Sequence, residues 1–210
     1  MSPEPKWRRR KAERPADIVT AALQVFAEKG FAGARMEEIA ARAGLSKGAV
    51  YLYFPTKQNL FRAVVQNAVL PNIESVERMV LASNAPFADR LRLLLPRFAE
   101  IITTLPIGAV AKMVIGESRN FPELAKVWHD DVISKGIGLL TRLIEQAQES
   151  GEVRSGDART FAFSIMGPML IGVIWRETFT PVGAAIDLPA IARQHVETIL
   201  CGLRPTETKA

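Results

Sequence analysis

Between residues 36 and 57 the chain reads MEEIAARAGLSKGAVYLYFPTK, and the second half of that stretch gathers groups suited to a polyanion. Lys47 and Lys57 carry ammonium charges that can pair with phosphate, and Arg35 adds a guanidinium just upstream. Tyr51 and Tyr53 offer hydroxyls on stiff rings, while Ser46 and Gly48 let a backbone come close. Contacts to phosphate set register and salt dependence, whereas side chains at base edges set sequence. Ala49 can touch a thymine methyl but cannot exchange a hydrogen bond with a base. This is the chemistry of recognition.

Two short helices joined by a tight turn would position these groups. Met36, Ile39, Ala40 and Ala43 recur at the three- and four-residue spacing of a buried helical stripe. Gly44 ends that helix, since glycine takes the left-handed C-terminal cap without steric cost. Leu45 can plug the corner, Ser46 stands where an N-cap hydroxyl is wanted, and residues 47–54 form the second helix. Val50 and Phe54 point to the core, leaving Lys47, Ala49, Tyr51 and Tyr53 outward. That is the layout of a helix-turn-helix with its recognition helix. Taken alone, the same residues also fit a plain helical hairpin with solvated tyrosines. Upstream, residues 17–26 are amphipathic, with Ile18, Ala21, Ala22, Val25 and Phe26 as the packing stripe and Lys29-Gly30-Phe31 as the stop. Three helices in about 45 residues make a compact head.

The runs AALQVFAEKGF and MEEIAARAGLSKGAVYLYFPTKQNLF resemble the TetR family of bacterial transcriptional repressors, over roughly residues 15–63. The resemblance implies that Lys47, Ala49 and Tyr51 read bases and that Tyr53 and Lys57 hold the DNA backbone. It also implies a body that binds a small molecule and dimerises through its last two helices, with the ligand releasing the operator. Two positions depart from the family pattern. Ala34 stands where Thr or Ser usually caps the second helix, and losing such a hydroxyl typically costs ~1 kcal/mol. Glu37 and Glu38 partly offset this through the helix dipole. Ala49 stands where the family often has Thr.

Charge follows the same division. Residues 1–63 hold 12 Lys and Arg against 6 Asp and Glu, a net of +6, while residues 64–210 hold 15 against 16, a net of −1. A basic N-terminal part suits a polyanionic partner. Residues 6–11 (KWRRRK) are the most basic of all, and read either as a disordered arm reaching phosphate or as a solubilising tail. The chain is 210 residues long and 48% hydrophobic, enough for one small and one larger domain. The single cysteine, Cys201, leaves no intramolecular disulfide and suits a reducing cytoplasm. The first dozen residues lack the apolar run of a secretory signal. The longest uncharged segment, residues 160–175, has 16 residues and contains Pro168, short of the ~20 that span a bilayer. A membrane-surface role for the basic terminus finds only Trp7 as an apolar partner.

Beyond the head the periodicity predicts helices throughout. Thr56 caps one that runs through Leu60, Phe61, Val64, Val65, Ala68 and Val69, is bent or interrupted at Pro71, and continues through Ile73, Val76 and Val80. Others follow from Pro86-Phe87 (apolar face Leu91, Leu94, Leu95 and Phe98, kinked at Pro96) and at residues 108–118, 123–149, 157–179 and 188–203, with no strand alternation. The expected fold is all-α: a basic arm (1–14), a helix-turn-helix domain (15–63) and a ligand-binding and dimerisation domain (64–210). Residues 161–175 are apolar nearly all round and must be covered on most sides. A symmetric interface with Ile191, Val196, Ile199 and Leu203 would do so, as would the core of a monomer. Candidate ligand-cavity residues are Phe98, Met113, Glu117, Phe121, Trp128, His129, Phe163, Met166, Met169 and Trp175, all of which also read as ordinary core or surface. His129 with Asp130 and Asp131 is either a metal or acid-base cluster or a solvated helix face.

No GxSxG, P-loop, dinucleotide glycine fingerprint or HExxH is present, and two histidines and one cysteine allow few nucleophile-base pairs. The reading is a cytoplasmic, non-enzymatic regulator needing no cofactor or metal, with double-stranded DNA and a small-molecule effector as partners. Its rival is a helical small-molecule carrier that does not bind DNA, which leaves the basic, tyrosine-bearing head unexplained.

Overall fold

The computed structural model describes the backbone of residues 6–205 and the side chains of residues 14–205. The described secondary structure is helical, without a strand among these residues. The chain divides into two compact units: residues 1–71 with 109–131, and residues 72–108 with 132–210.

The first unit is built on α1 (Lys6–Gly33). The basic run 6–11, read as an arm, is wound into its opening turns; Lys, Arg, Glu and Ala are good helix formers, which accounts for the difference. Ile18, Ala22, Val25 and Phe26 are fully buried, and Ala21 nearly so. Gly30 breaks the helix at φ 73°, a region that costs side-chain-bearing residues steric strain. The reversal turns Phe31 back so that its ring stacks on Phe26 at 5.6 Å and meets Phe61 at 6.1 Å. α2 (Met36–Arg42) buries Met36, Ile39 and Ala40. Its N-cap falls on Arg35, which makes no side-chain capping bond, while Ala34 beside it is buried. Gly44 takes φ 67° as expected, and the Leu45 amide bonds back to the Ala40 carbonyl.

α3 (Lys47–Tyr53) begins at Ser46, whose hydroxyl accepts the Ala49 amide at 3.2 Å. α4 (Lys57–Val64) begins at Thr56, which accepts the Asn59 amide at 3.0 Å. α4 then widens into a π turn (Val65–Val69) before α5 (Leu70–Leu81). Pro71 has no amide hydrogen, and its ring would crowd a carbonyl one turn back; the wider turn just before it relieves that conflict without ending the helical run. α7 (Ile107–Glu117) and α8 (Pro122–Trp128) contribute residues 109–128 to the same unit.

The second unit consists mainly of α6 (Phe87–Thr104), α9 (Ser134–Glu149), α10 (Ala158–Phe179) and α11 (Leu188–Leu203). α6 runs on through Pro96, and a π turn (His129–Ile133) joins α8 to α9, so the predicted helix 123–149 is continuous but locally widened. Leu91, Leu95, Leu140, Ile144 and Ile165 form its buried centre. Asp157 and Asp187 cap α10 and α11 by accepting the Thr160 and Ala190 amides at 2.6 and 2.9 Å. At Gly172 a methyl group would fall 2.3 Å from the Leu188 Cδ1, so any larger residue there would force the Leu188 side chain, at the start of α11, to shift.

Candidate nucleic-acid interface

The recognition helix is presented by its two neighbours. Val50 on α3 is fully buried, which anchors that helix to the head, while Tyr51 is 39% and Leu52 85% exposed. Ser46, Lys47 and Gly48 lie on the surface, Ala49 and Tyr53 are half-buried, and Arg35 is exposed ahead of α2. Seven of the eight predicted DNA-contact residues are thus exposed or half-buried on α3, at its start, or just ahead of α2. Space around Gly48 is open: a methyl group added there meets nothing within 4 Å.

Ion pairs organise the charges behind this face. The Arg42 guanidinium donates twice to the Glu28 carboxylate, at 2.6 and 2.8 Å, and Lys29 donates to Glu38 at 2.8 Å. These pairs fasten α2 to α1. Lys47 pairs with Glu37 and lies 5.7 Å from the Tyr51 ring centre. The bond to Lys47 holds the Glu37 carboxyl below its ordinary pKa, and the same bond raises that of Lys47. Both groups are about half exposed, so water screens the pair strongly and phosphate can compete for the lysine.

Lys57 is placed differently from its expected role at phosphate. Its ammonium donates to the Phe31 carbonyl at 2.5 Å and the Ala34 carbonyl at 3.0 Å, and sits 4.6 Å from the Phe31 ring centre. Burial lowers its pKa, with Glu117 acting in the opposite direction. The reversal after Gly30 leaves these carbonyls unmatched, and Lys57 at the start of α4 is near enough to satisfy them. Sequence periodicity carries no signal for such a contact, because the partners lie 23 and 26 residues away.

Glu117, expected to touch a ligand, binds the same corner from the other side. Its carboxylate accepts the Phe31 amide at 2.9 Å and the Ala32 amide at 2.7 Å. Phe121 packs edge-on against Phe31 with ring centres 4.9 Å apart. α7 and the start of α8 therefore grip the α1–α2 corner within one compact unit. The other candidates are scattered. Met113 and Trp128 are buried in the first unit, and Met169 is fully buried in the second, where Phe98 and Met166 are half-buried. Phe163 and Trp175 are exposed, the Trp175 indole donating to the Ala184 carbonyl at 2.9 Å. His129 lies on the surface beside Asp130, which also pairs with Lys126 at 2.6 Å. No cluster of metal-ligating side chains occurs among the described residues.

One cleft of about 170 Å³ lies between α4 and α8 and includes Asn59, Arg62 and Leu124; another of about 130 Å³ includes Phe87, Arg92 and Leu203. None of the ten ligand candidates lines either cleft. Both fall below the roughly 300–1,000 Å³ of ordinary ligand sites.

A capped recognition helix, presented by two helices from a basic head, defines a helix-turn-helix DNA-binding protein. Residues 18–64 match the bacterial regulatory proteins of the tetR family, and residues 89–201 match the C-terminal domain of AefR-like transcriptional repressors. The chain is 24% identical over 199 residues to the fatty acid metabolism regulator protein of Bacillus subtilis, covering 92% of this chain and 98% of that one. It is 27% identical to the transcriptional repressor BepR of Brucella suis, over 78% of this chain and 79% of that one. It is also 38% identical to the transcriptional activator FasR of Mycolicibacterium smegmatis, over 43% of this chain but only 41% of that protein. Among solved structures, FadR of Bacillus subtilis in complex with stearoyl-CoA superposes with a TM-score of 0.75 at 21% identity, covering 90% of this chain and 99% of that one. The protein belongs to the TetR family, and it is a ligand-responsive, DNA-binding transcriptional regulator.

Proposed function

We propose that the protein is a homodimeric repressor whose two heads occupy an inverted-repeat operator, and that an acyl thioester bound in the C-terminal domain releases it. The observation that carries the coupling is the bond from Glu117 at the end of α7 to the Phe31 and Ala32 amides of the head. A ligand that displaces α7 or α8 must move or break this grip. It releases DNA only if it binds the displaced arrangement more tightly than the DNA-bound one. Repression follows from the match to AefR-like repressors, and the acyl thioester from the likeness to FadR, whose complex holds stearoyl-CoA.

Dimerisation rests on α10. Phe163, Leu170, Ile171, Trp175 and Phe179 are all exposed along it, at spacings that fall on one side of a helix. A contiguous apolar stripe of this kind marks an interaction surface. The segment Ala158–Val182 is also long and apolar enough to cross a membrane. A second copy of the same stripe covers it more economically, since the charged Arg159, Arg176 and Glu177 lie within or beside it. Two heads so paired would meet half-sites about one turn of DNA apart or a little more.

Selection of bound duplexes from a random DNA pool tests the operator reading: an enriched inverted repeat is expected, and failure to enrich any sequence would overturn it. Titrating stearoyl-CoA into the complex with that duplex then tests the effector. Release at micromolar concentration is expected, on the order of a typical regulatory Kd. Retention of DNA throughout the titration would remove the acyl thioester while leaving operator binding intact.

A further inference from the structure

We propose that Leu52 reads the operator, burying its side chain against the C5-methyl of a thymine in each half-site. The inference rests on placing α3 in the major groove. Leu52 is 85% exposed, more than any other large hydrophobic side chain among the described residues. Its direction follows from the anchor: residues advance by about 100° around a helix, so Leu52 points opposite the midpoint between Val50 and Phe54. Gly48 and Ala49 flank it on that outward face, Tyr51 and Tyr53 fall to its two sides, and Lys47, in the first turn, lies further round beyond Tyr51.

The outermost line of the recognition helix, Gly48-Ala49-Leu52, therefore carries no side-chain hydrogen-bonding group. The nearest charge, Lys47, is already paired with Glu37. Open space at Gly48 lets the helix approach closely. What such a surface can distinguish in the major groove is the thymine methyl, the one apolar group that base edges present there. A leucine left bare in the free protein gains most where DNA covers it, and burial of one methyl group contributes about a four-fold change in affinity. The geometry thus assigns specificity to methyl contact at the centre of the helix, with Tyr51 and Tyr53 holding register from either side.

The probe is the duplex enriched from a random pool by the full-length protein, resynthesised with deoxyuridine in place of one thymidine at a time. This exchange removes only the methyl group. The wild-type protein is expected to lose roughly four-fold in affinity at one symmetric position per half-site. Leu52→Ala should bind the parent duplex more weakly and no longer distinguish thymine from uracil at that position, while keeping its salt dependence. Leu52→Met should restore the discrimination, which a folding defect would not allow. If Leu52→Ala still distinguishes thymine from uracil at every position as the wild type does, the assignment is overturned. A wild-type protein that enriches no duplex would overturn the operator reading and this assignment together; enrichment without methyl discrimination overturns this assignment alone.

Discussion

Lys57 and Glu117 hold opposite sides of one short stretch of backbone. The lysine donates to the carbonyls of Phe31 and Ala34, and the glutamate accepts the amides of Phe31 and Ala32. A chain that reverses at Gly30 leaves such groups without helical partners, and leaving a buried one unmatched costs about 1–3 kcal/mol. Lys57→Ala should therefore lower stability toward urea by about 1–3 kcal/mol, through the lost carbonyl contacts and the lost packing on Phe31. Its effect on DNA binding separates the two roles this lysine can have. As a residue of the head's interior, Lys57→Ala leaves the slope of log affinity against log salt unchanged. A phosphate contact would instead lower that slope by roughly one unit. A reduced slope with unaltered stability would return Lys57 to the DNA backbone.

Local signals made the head readable and left its attachments hidden. Gly44 and Ser46 announce the turn because a left-handed cap and an N-cap hydroxyl are needed within a few residues of each other. Phe26 and Val50 announce the core through spacing alone. The Glu117 grip on residue 31 joins positions 86 apart, and no periodicity links them. Cavity residues were the least legible, since Met169 and Trp128 are spaced as buried residues whether or not a void lies beside them. Leu52 could have been found from the turn, being about half a rotation from the buried Val50 and the half-buried Phe54.

The same locality governs α10, whose N-terminus depends on Asp157. The bond from Thr160 holds the Asp157 carboxyl below its ordinary pKa. A carboxylate depressed on folding stabilises the protein above the unfolded value of about 3.9, and that contribution is lost as pH falls through the lower folded value. Asp157→Asn keeps a capping oxygen but no titratable charge. Its unfolding midpoint is expected to fall less steeply than the wild type's between about pH 5 and pH 3. Parallel pH profiles would mean that Asp157 contributes nothing through its charge.

Charge and apolar surface divide the labour of the whole protein. The net +6 of residues 1–63 serves a polyanion, while in the near-neutral remainder α10 alone exposes Phe163, Leu170, Ile171, Trp175 and Phe179. A single recognition helix of seven residues touches only a few base pairs, so useful specificity requires two heads held at a fixed spacing. The stripe on α10 is the surface suited to hold them. Ile171, 63% exposed near its middle, is the position where a charge does least harm to the single chain and most harm to a pair. Ile171→Asp would place two carboxylates near each other across a two-fold axis, in an interface that excludes water. Sedimentation velocity at micromolar concentration should then show a monomer where a dimer is expected of the wild type, with the helical circular dichroism preserved. Binding to an isolated half-site should survive this change, because the head remains intact, whereas the advantage of the full inverted repeat over the half-site should disappear. A variant that remains dimeric, or that still prefers the full repeat, would place the interface away from α10.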